Sequence, residues 1–516
     1  LIYPSFDDVI AYQPSYTMIP ICKTIIDDME TPISLYHRLP ESDYSFLLES
    51  VEGEQKIARY SFMGCRPFRT LTGKDGNYTI QDRYQGQHDI QATDPLPLLE
   101  EWMTECKTPK YPAYPPFLGG AVGYLSYDLV RYFEPVLDTP PKGKGTGAYD
   151  VHLMFYDRLL VYDHFKRQII LVQNILVRNK SLSELQVLYK ETISQLDSWY
   201  RDLKRMPTDI PKSIPLTEPA IPWEKVTSNV SKETYMDMVE KAKEYIRAGD
   251  IFQVVPSQRW TWNDHPSPMH VYRVLRQINP STYMYYLQMK DETVVGASPE
   301  LLVKVIDGIA NTRPIAGSRP RGRNHMEDEQ LMIELLQDPK EIAEHVMLVD
   351  LGRNDLGRIS HYGTVQVTEK MKIEKYSHIM HIVSHVMGRL KDEYRASDAV
   401  RACFPAGTVS GAPKIRAMEI IAELEPEPRG IYAGAIGYFS YTGNVDTCIA
   451  IRTIYFRDNK AYIQAGGGVV SGSVPENEYM ESVNKATAML KALEMASQME
   501  RMESEQDGPR KVSQGC

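Results

Sequence analysis

Between residues 206 and 223 the chain reads MPTDIPKSIPLTEPAIPW, with five prolines in one short stretch. Each proline lacks an amide hydrogen and fixes φ, so neither a helix interior nor a central strand can run through. Recurring prolines without an apolar period read as an extended linker. This predicts one unit at 1–205, a larger one at 224–498, and a polar tail at 499–516. The length of 516 residues suits that division, and a hydrophobic fraction of 42% is enough for real cores.

Before the linker, short alternating runs at Arg59–Phe62, Tyr78–Gln81 and Gln168–Val172 predict antiparallel strands. Charged, loop-like stretches such as 139–147 lie between them. After it, Met236, Val239, Ala242 and Ile246 recur at helical spacing, with Ser231 to cap the start and Gly249 to end the run. Strand patterns follow at 252–262, 281–289 and 293–305. Helical patterns are expected around 327–350, at 376–390 and at 478–498. Without a βαβ rhythm, the expected class is α+β, with large antiparallel, sandwich-like sheets flanked by helices. One echo crosses the linker: GAVGYLSY at 120–127 returns as GAIGYFSY at 434–441. It is either convergent strand chemistry or a glycine-bearing strand in each unit where a ligand or another backbone comes close.

The 58 basic and 68 acidic residues give a net charge of −10. That argues against general nucleic-acid or acidic-membrane binding, though a small anion needs only a local basic pocket. Six cysteines are scattered without CxxC or zinc spacing, as expected for free thiols in a reducing cytoplasm. No apolar run is long enough for a bilayer, and no signal-peptide pattern opens the chain.

Two segments carry paired glutamates at helical spacing. Glu341 and Glu344 are followed by His345, and Glu478 and Glu481 by Lys485. A solvated face with ion pairs explains one such helix, but two flanked by apolar residues suggest buried carboxylates, which require a cation. Oxygen-only ligands favour Mg²⁺ over zinc. The glycine-rich segments 406–414 and 464–473 match neither a P-loop nor a dinucleotide fingerprint, and read as tight turns or a cradle for a carboxylate or phosphate. PIAGSRPRG at 314–322 reads as a surface turn with solvated arginines. No nucleophile elbow is present, so the chain is not expected to hydrolyse glutamine itself.

Taken together, GDIFQVVPSQR (249–259), NPSTYMYYL (279–287), PIAGSRPRG, EHVMLVDLGRNDLGRI (344–359), FPAGTVSGAPKIRAMEII (404–421), DTCIAIRTI (446–454) and QAGGGVVSGSVPENEYMESVNKA (464–486) resemble the chorismate-utilising enzymes. FLLES (46–50) with RYSF resembles the feedback motif of the anthranilate-forming members. The resemblance implies that Glu344 and Glu481 bind Mg²⁺, with Glu341 and Glu478 in support, and that Glu300 is the general acid. It implies that His381, flanked by His378 and His385, serves the later elimination, and that Tyr432 and Arg452 meet substrate carboxylates. Gly317, Ser318, Thr408, Gly466, Gly467 and Gly468 would add close donors, and Lys485 belongs to the same substrate set. Relatives that add water place a lysine where this chain has Gln253, and those that aminate at C4 place one where it has Ala316. Both positions imply anthranilate formation from chorismate and ammonia. The rival readings are aminodeoxychorismate or isochorismate synthesis, and a tryptophan-binding relative without turnover. Ammonia is expected from a separate glutamine amidotransferase subunit, making a hetero-oligomer. Ser50, Thr282, Tyr283 and Met284 would form an L-tryptophan site, in which Thr282 replaces the usual proline and is expected to weaken binding.

Overall fold

The structure is a computed structural model that describes residues 1–51, 59–137, 142–205, 219–376 and 379–506. Residues 206–218, His378 and the end of the expected tail lie outside the described residues.

Two antiparallel twelve-stranded sheets dominate. One carries Met18–Ile26, Gln168–Leu176, Arg158–Asp163, Tyr60–Cys65 and Tyr44–Glu49 along one half. Its other half continues directly with Tyr283–Met289, Glu292–Ser298, Thr453–Arg457, Lys460–Gly466 and Ser257–Asn263. The second sheet is divided the same way. Ile315–Pro320, Ile379–Arg389, Ile309–Thr312, Leu301–Ile306, Val445–Ile449 and Ala435–Ser440 meet Gly120–Leu125, Val151–Tyr156, Arg69–Lys74, Asn77–Asp82 and Gly86–Gln91. Strands from before and after residues 206–223 therefore share both sheets.

The sheets pack face to face. Phe46, Tyr156, Val161, Tyr285, Val122 and Tyr438 belong to the apolar layer between them. Helices Leu182–Arg205, Pro268–Ile278 and Pro475–Gln506 cover the outer face of the first sheet through Trp199, Tyr272, Met489 and Leu493. Helices Leu96–Glu105, Pro339–Gly357 and Ala396–Cys403 cover the second through Leu99, Leu356 and Val400. The α+β class with sandwiched antiparallel sheets is as expected. Among the described residues no helix is long and apolar enough to cross a membrane.

The echoed segments are neighbours in space. Gly120–Leu125 pairs with Ala435–Ser440, and Gly123 faces Gly437 in register. A Cβ on Gly123 would lie 2.0 Å from the His152 carbonyl oxygen, and one on Gly437 would lie 2.0 Å from that of Asp446. Another backbone, rather than a ligand, requires these glycines.

Helix Lys232–Ala248 forms as its pattern predicts. Ser231 accepts from the Thr234 amide, and Gly249 closes the helix at φ 84°. Three expectations need correction. The run 327–350 is two helices, His325–Gln337 and Pro339–Gly357, because Pro339 cannot continue the first and Asp338 caps the second. Residues 376–390 form not a helix but the strand Ile379–Arg389. Met380, Ile382, Ser384 and Val386 alternate inward with period two, while its β-branched residues favour a strand. PIAGSRPRG is an edge strand, Ile315–Pro320, rather than a surface turn. Its two arginines are paired, Arg319 with Asp338 and Glu341 and Arg321 with Asp328, as are the flanking Arg313 with Glu374 and Arg323 with Glu327.

Candidate active site

Two of the corners at which the chain crosses from one sheet to the other lie side by side. Ser298–Leu301 links strand Glu292–Ser298 of the first sheet to Leu301–Ile306 of the second, and Ile449–Thr453 makes the reverse crossing. The Ile449 amide donates to the Glu300 carbonyl at 3.0 Å, and Ser298 Oγ donates to the Ile449 carbonyl at 2.7 Å. Glu300 and Arg452 are the corner residues, and Arg452 is held at φ 49°, where non-glycine residues are uncommon. Beside these corners opens a cavity of about 650 Å³.

Most of the sequence-predicted residues line it. They are Glu300, His381, Gln253, Thr408, Gly317, Ser318, Tyr432, Arg452, Gly466, Gly468 and Lys485, with Glu341, Glu344, Glu478, Glu481 and Ala316. Gly467 does not; its amide instead faces the Tyr235 hydroxyl at 3.3 Å. A Cβ on Gly467 would stand 2.8 Å from Glu478 Oε2, and one on Gly468 would stand 2.7 Å from Gln253 Nε2. The glycines thus make room for two polar side chains.

Burial pushes the Glu300 carboxyl up to about 7, with a hydrogen bond from Thr408 and the charges of Lys485 and Arg452 only partly opposing it. Near neutral pH it holds a proton much of the time. Burial also lowers the Arg452 pKa against the attraction of Glu300. Among the described residues no carboxylate forms an ion pair with Arg452, which leaves its forked donors for an anion in the cavity. Burial pushes His381 down. Its Nδ1 lies 3.1 Å from the Gly317 carbonyl oxygen, which can only accept. The neutral ring therefore carries its proton on Nδ1 and leaves Nε2 as a base. Gly317, at φ 75°, forms a bulge between Ala316 and Ser318 that turns this carbonyl toward His381.

The four glutamates come from two helices, Pro339–Gly357 and Pro475–Gln506. Glu344 accepts from Gln253 Nε2 at 3.3 Å, Glu341 pairs with Arg319 at 3.3 Å, and Glu481 pairs with Lys485 at 2.7 Å. Burial raises Glu478, with Glu481 adding to the effect, and its Oε2 is buried without a donor. No three acidic, histidine or cysteine side chains gather tightly enough among the described residues to hold a metal alone. The all-carboxylate set and the donor-less Glu478 oxygen nevertheless fit a hard divalent cation completed by a ligand's own oxygens.

Two further buried atoms at the cavity lack partners: Gln253 Oε1 and Gln464 Oε1. Buried polar atoms are rarely left so, and their convergence marks a site for a polar ligand. Sequence reasoning missed Gln464, Lys340, Asn279 and Tyr376, which also line the cavity. Gln464 and Asn279 open two of the quoted motifs and Lys340 stands shortly before another, but no periodicity distinguishes them.

Ser50 is not part of the cavity wall. It follows strand Tyr44–Glu49, which pairs with Tyr283–Met289, and the Val51 amide donates to the Ser281 carbonyl at 3.2 Å. Ser50 and Thr282 therefore meet where the two chain halves join, and Thr282 also lines the cavity. Tyr283 donates to Asp446 at 3.0 Å, and Met284 is buried in the first sheet's core.

The cavity thus brings together a carboxyl whose pKa burial raises, a neutral histidine, an arginine and four glutamates. Residues 44–491 match the family model for chorismate binding enzymes, and the chain belongs to that family. It is 47% identical to anthranilate synthase component 1 of Acetivibrio thermocellus, over 97% of this chain and the whole of that one. The Pseudomonas putida protein of the same name is 44% identical over 94% of this chain and 97% of its own. Among solved structures, anthranilate synthase component I from Streptococcus pneumoniae is 39% identical, with a TM-score of 0.72 over 90% of this chain and 99% of that one. The menaquinone-specific isochorismate synthase of Escherichia coli shares the fold at 17% identity, with a TM-score of 0.67 over 95% of this chain and 98% of its own.

Proposed function

We propose that the chain is the chorismate-converting subunit of an anthranilate synthase, forming anthranilate and pyruvate from chorismate and ammonia in the first step of tryptophan biosynthesis. One observation carries the reading: a single cavity holds Glu300, whose pKa burial raises, and an Arg452 that no described carboxylate pairs with, and has Gln253 and Ala316 at its wall. Chorismate is a dicarboxylate with a C4 hydroxyl. Arg452 binds one carboxylate through its forked donors, and Tyr432 adds a hydroxyl. Ammonia forms the new bond at C2 as the C4–O bond breaks. Glu300 donates its proton to the departing oxygen, which leaves as water. His381 Nε2 then accepts the C2 proton as the C3–O bond breaks and the ring becomes aromatic; the enolate that leaves takes a proton at its methylene carbon to become pyruvate.

Glu344 and Glu481, with Glu341 and Glu478, would hold Mg²⁺. Bound there, the ion would neutralise charge on the substrate carboxylate. Between turnovers Lys485 and Arg319 offset part of the carboxylate charge. Gly317, Ser318, Thr408, Gly466 and Gly468 supply close backbone and hydroxyl contacts, while Gly467 leaves room for Glu478. Ammonia already carries its lone pair, so Gln253 need not act as a base. The Ala316 methyl cannot attack the ring, which disfavours C4 amination.

A glutamine amidotransferase subunit supplies the ammonia in the cytoplasm. L-tryptophan binds at Ser50, Thr282, Tyr283 and Met284. Thr282 touches both regions, which gives that site a direct route to the cavity. Replacing Glu481→Gln tests the site: turnover of chorismate with Mg²⁺ and ammonium should vanish while tryptophan binding persists. Retained turnover contradicts the assignment.

A further inference from the structure

Behind the cavity wall lies an ion pair that takes no part in the reaction described above. Arg429 and Glu425 have side chains only 1% and 5% exposed. A buried pair gains little net stability over well-packed apolar residues. Arg429 Nε donates to Glu425 Oε2 at 2.9 Å, and Nη2 to Glu425 Oε1 at 2.6 Å. The remaining donors reach backbone. Nη1 meets the Val409 carbonyl at 2.7 Å, and Nη2 meets the Val255 carbonyl at 2.6 Å.

Both carbonyls belong to residues of the cavity wall. Val409 adjoins Thr408, and Val255 stands two residues beyond Gln253. The guanidinium also lies between two aromatic rings, 4.7 Å from the centre of Tyr127 and 5.4 Å from that of Tyr432. Glu425 extends the network. Its Oε1 accepts from the Ser257 amide and hydroxyl, each at 2.8 Å, and Ser257 Oγ accepts from Gln464 Nε2 at 2.8 Å. One ion pair thus fixes the segments bearing Gln253 and Thr408, the ring of Tyr432 and the amide of Gln464 relative to one another.

We infer that Arg429, held by Glu425, is a positioning residue that sets the mutual placement of Gln253, Thr408 and Tyr432 for amination of chorismate. The inference rests on the cavity being the chorismate site. Only a planar fork with several donors can bind a carboxylate and two carbonyls together, so lysine cannot substitute. Small displacements of reacting groups reduce the rate of the bound complex more than they weaken binding.

The test uses the full chain with chorismate, Mg²⁺ and ammonium. Arg429→Lys should lower kcat about tenfold to a hundredfold while KM for chorismate and tryptophan binding change little. Arg429→Ala should lose more, and millimolar guanidinium, but not sodium at equal ionic strength, should restore part of kcat. A second cavity of about 360 Å³ borders Arg429 and gives guanidinium access. If Arg429→Ala does not fold, the lysine variant, checked by circular dichroism, decides. The inference is overturned if Arg429→Lys keeps kcat within about twofold of the parent, since misplacement costs far more. It is also overturned if folded Arg429→Ala gains nothing from guanidinium. Should Glu481→Gln also remain active, the site assignment itself fails; should it be inactive while Arg429→Lys is normal, only this inference fails.

Discussion

Glu300 is a carboxylic acid that burial keeps protonated up to about 7. As the proton donor to the leaving hydroxyl it must carry its proton, so kcat should fall as pH rises through about 7. Glu300→Gln should lose about 10²- to 10⁴-fold in kcat and lose that limb of the pH–rate profile. Stability gives an independent check. The folded-state pKa lies above the ordinary 4.5, so Glu300's contribution is fully present below 4.5 and is lost as pH rises through about 7. The Gln variant escapes that loss, so its Tm relative to the parent should rise between these pH values and then level off. Little of this was legible from periodicity. Glu300 follows a strand and sits in no helical pattern, and it emerged only through the resemblance of the surrounding segments. Its raised pKa depends on packing at a corner between sheets, which no local pattern records. Lys340 and Gln464 were missed for the same reason: their placement comes from tertiary neighbours rather than from spacing.

At the scale of elements, helix Lys232–Ala248 was readable because cap, stop and apolar period agree. Strand Ile379–Arg389 was misread because a run such as IMHIVSHVM satisfies both periods, and pairing with three other strands decides between them. The edge strand Ile315–Pro320 was read as a turn from its Pro, Gly and Ser, yet the glycine serves a bulge inside a strand. That bulge is needed for the site. A Cβ on Gly317 would lie 3.1 Å from Glu341 Oε2 and 3.2 Å from both Ile382 and Leu335, at a positive φ that alanine disfavours. Gly317→Ala should therefore destabilise the chain by about 1–3 kcal/mol, measured by denaturant unfolding. Because His381 Nδ1 faces the Gly317 carbonyl oxygen, activity should fall further than the lost stability explains.

For the whole molecule, the proline-rich segment separates two sets of strands that both sheets join edge to edge. Strands from 1–176 form one half of each sheet and strands from 226–466 the other, and the halves pair directly at one seam per sheet. Between the sheets, Tyr124 and His152 from one half and Tyr455 from the other all contact the buried Glu292 carboxylate. Strand patterns predicted the class, but the partners of each strand are set by long-range packing that a linear reading cannot supply. Residues 1–205 and 219–516 expressed separately should each fail to fold, whereas coexpression should yield a complex with one cooperative thermal transition; two independent transitions would show separable domains. The central claim is chemical and is tested most directly by the product. Full-length protein incubated with chorismate, Mg²⁺ and ammonium, with products resolved by mass, should give anthranilate and equimolar pyruvate. Isochorismate, 4-amino-4-deoxychorismate or unchanged chorismate would contradict the account.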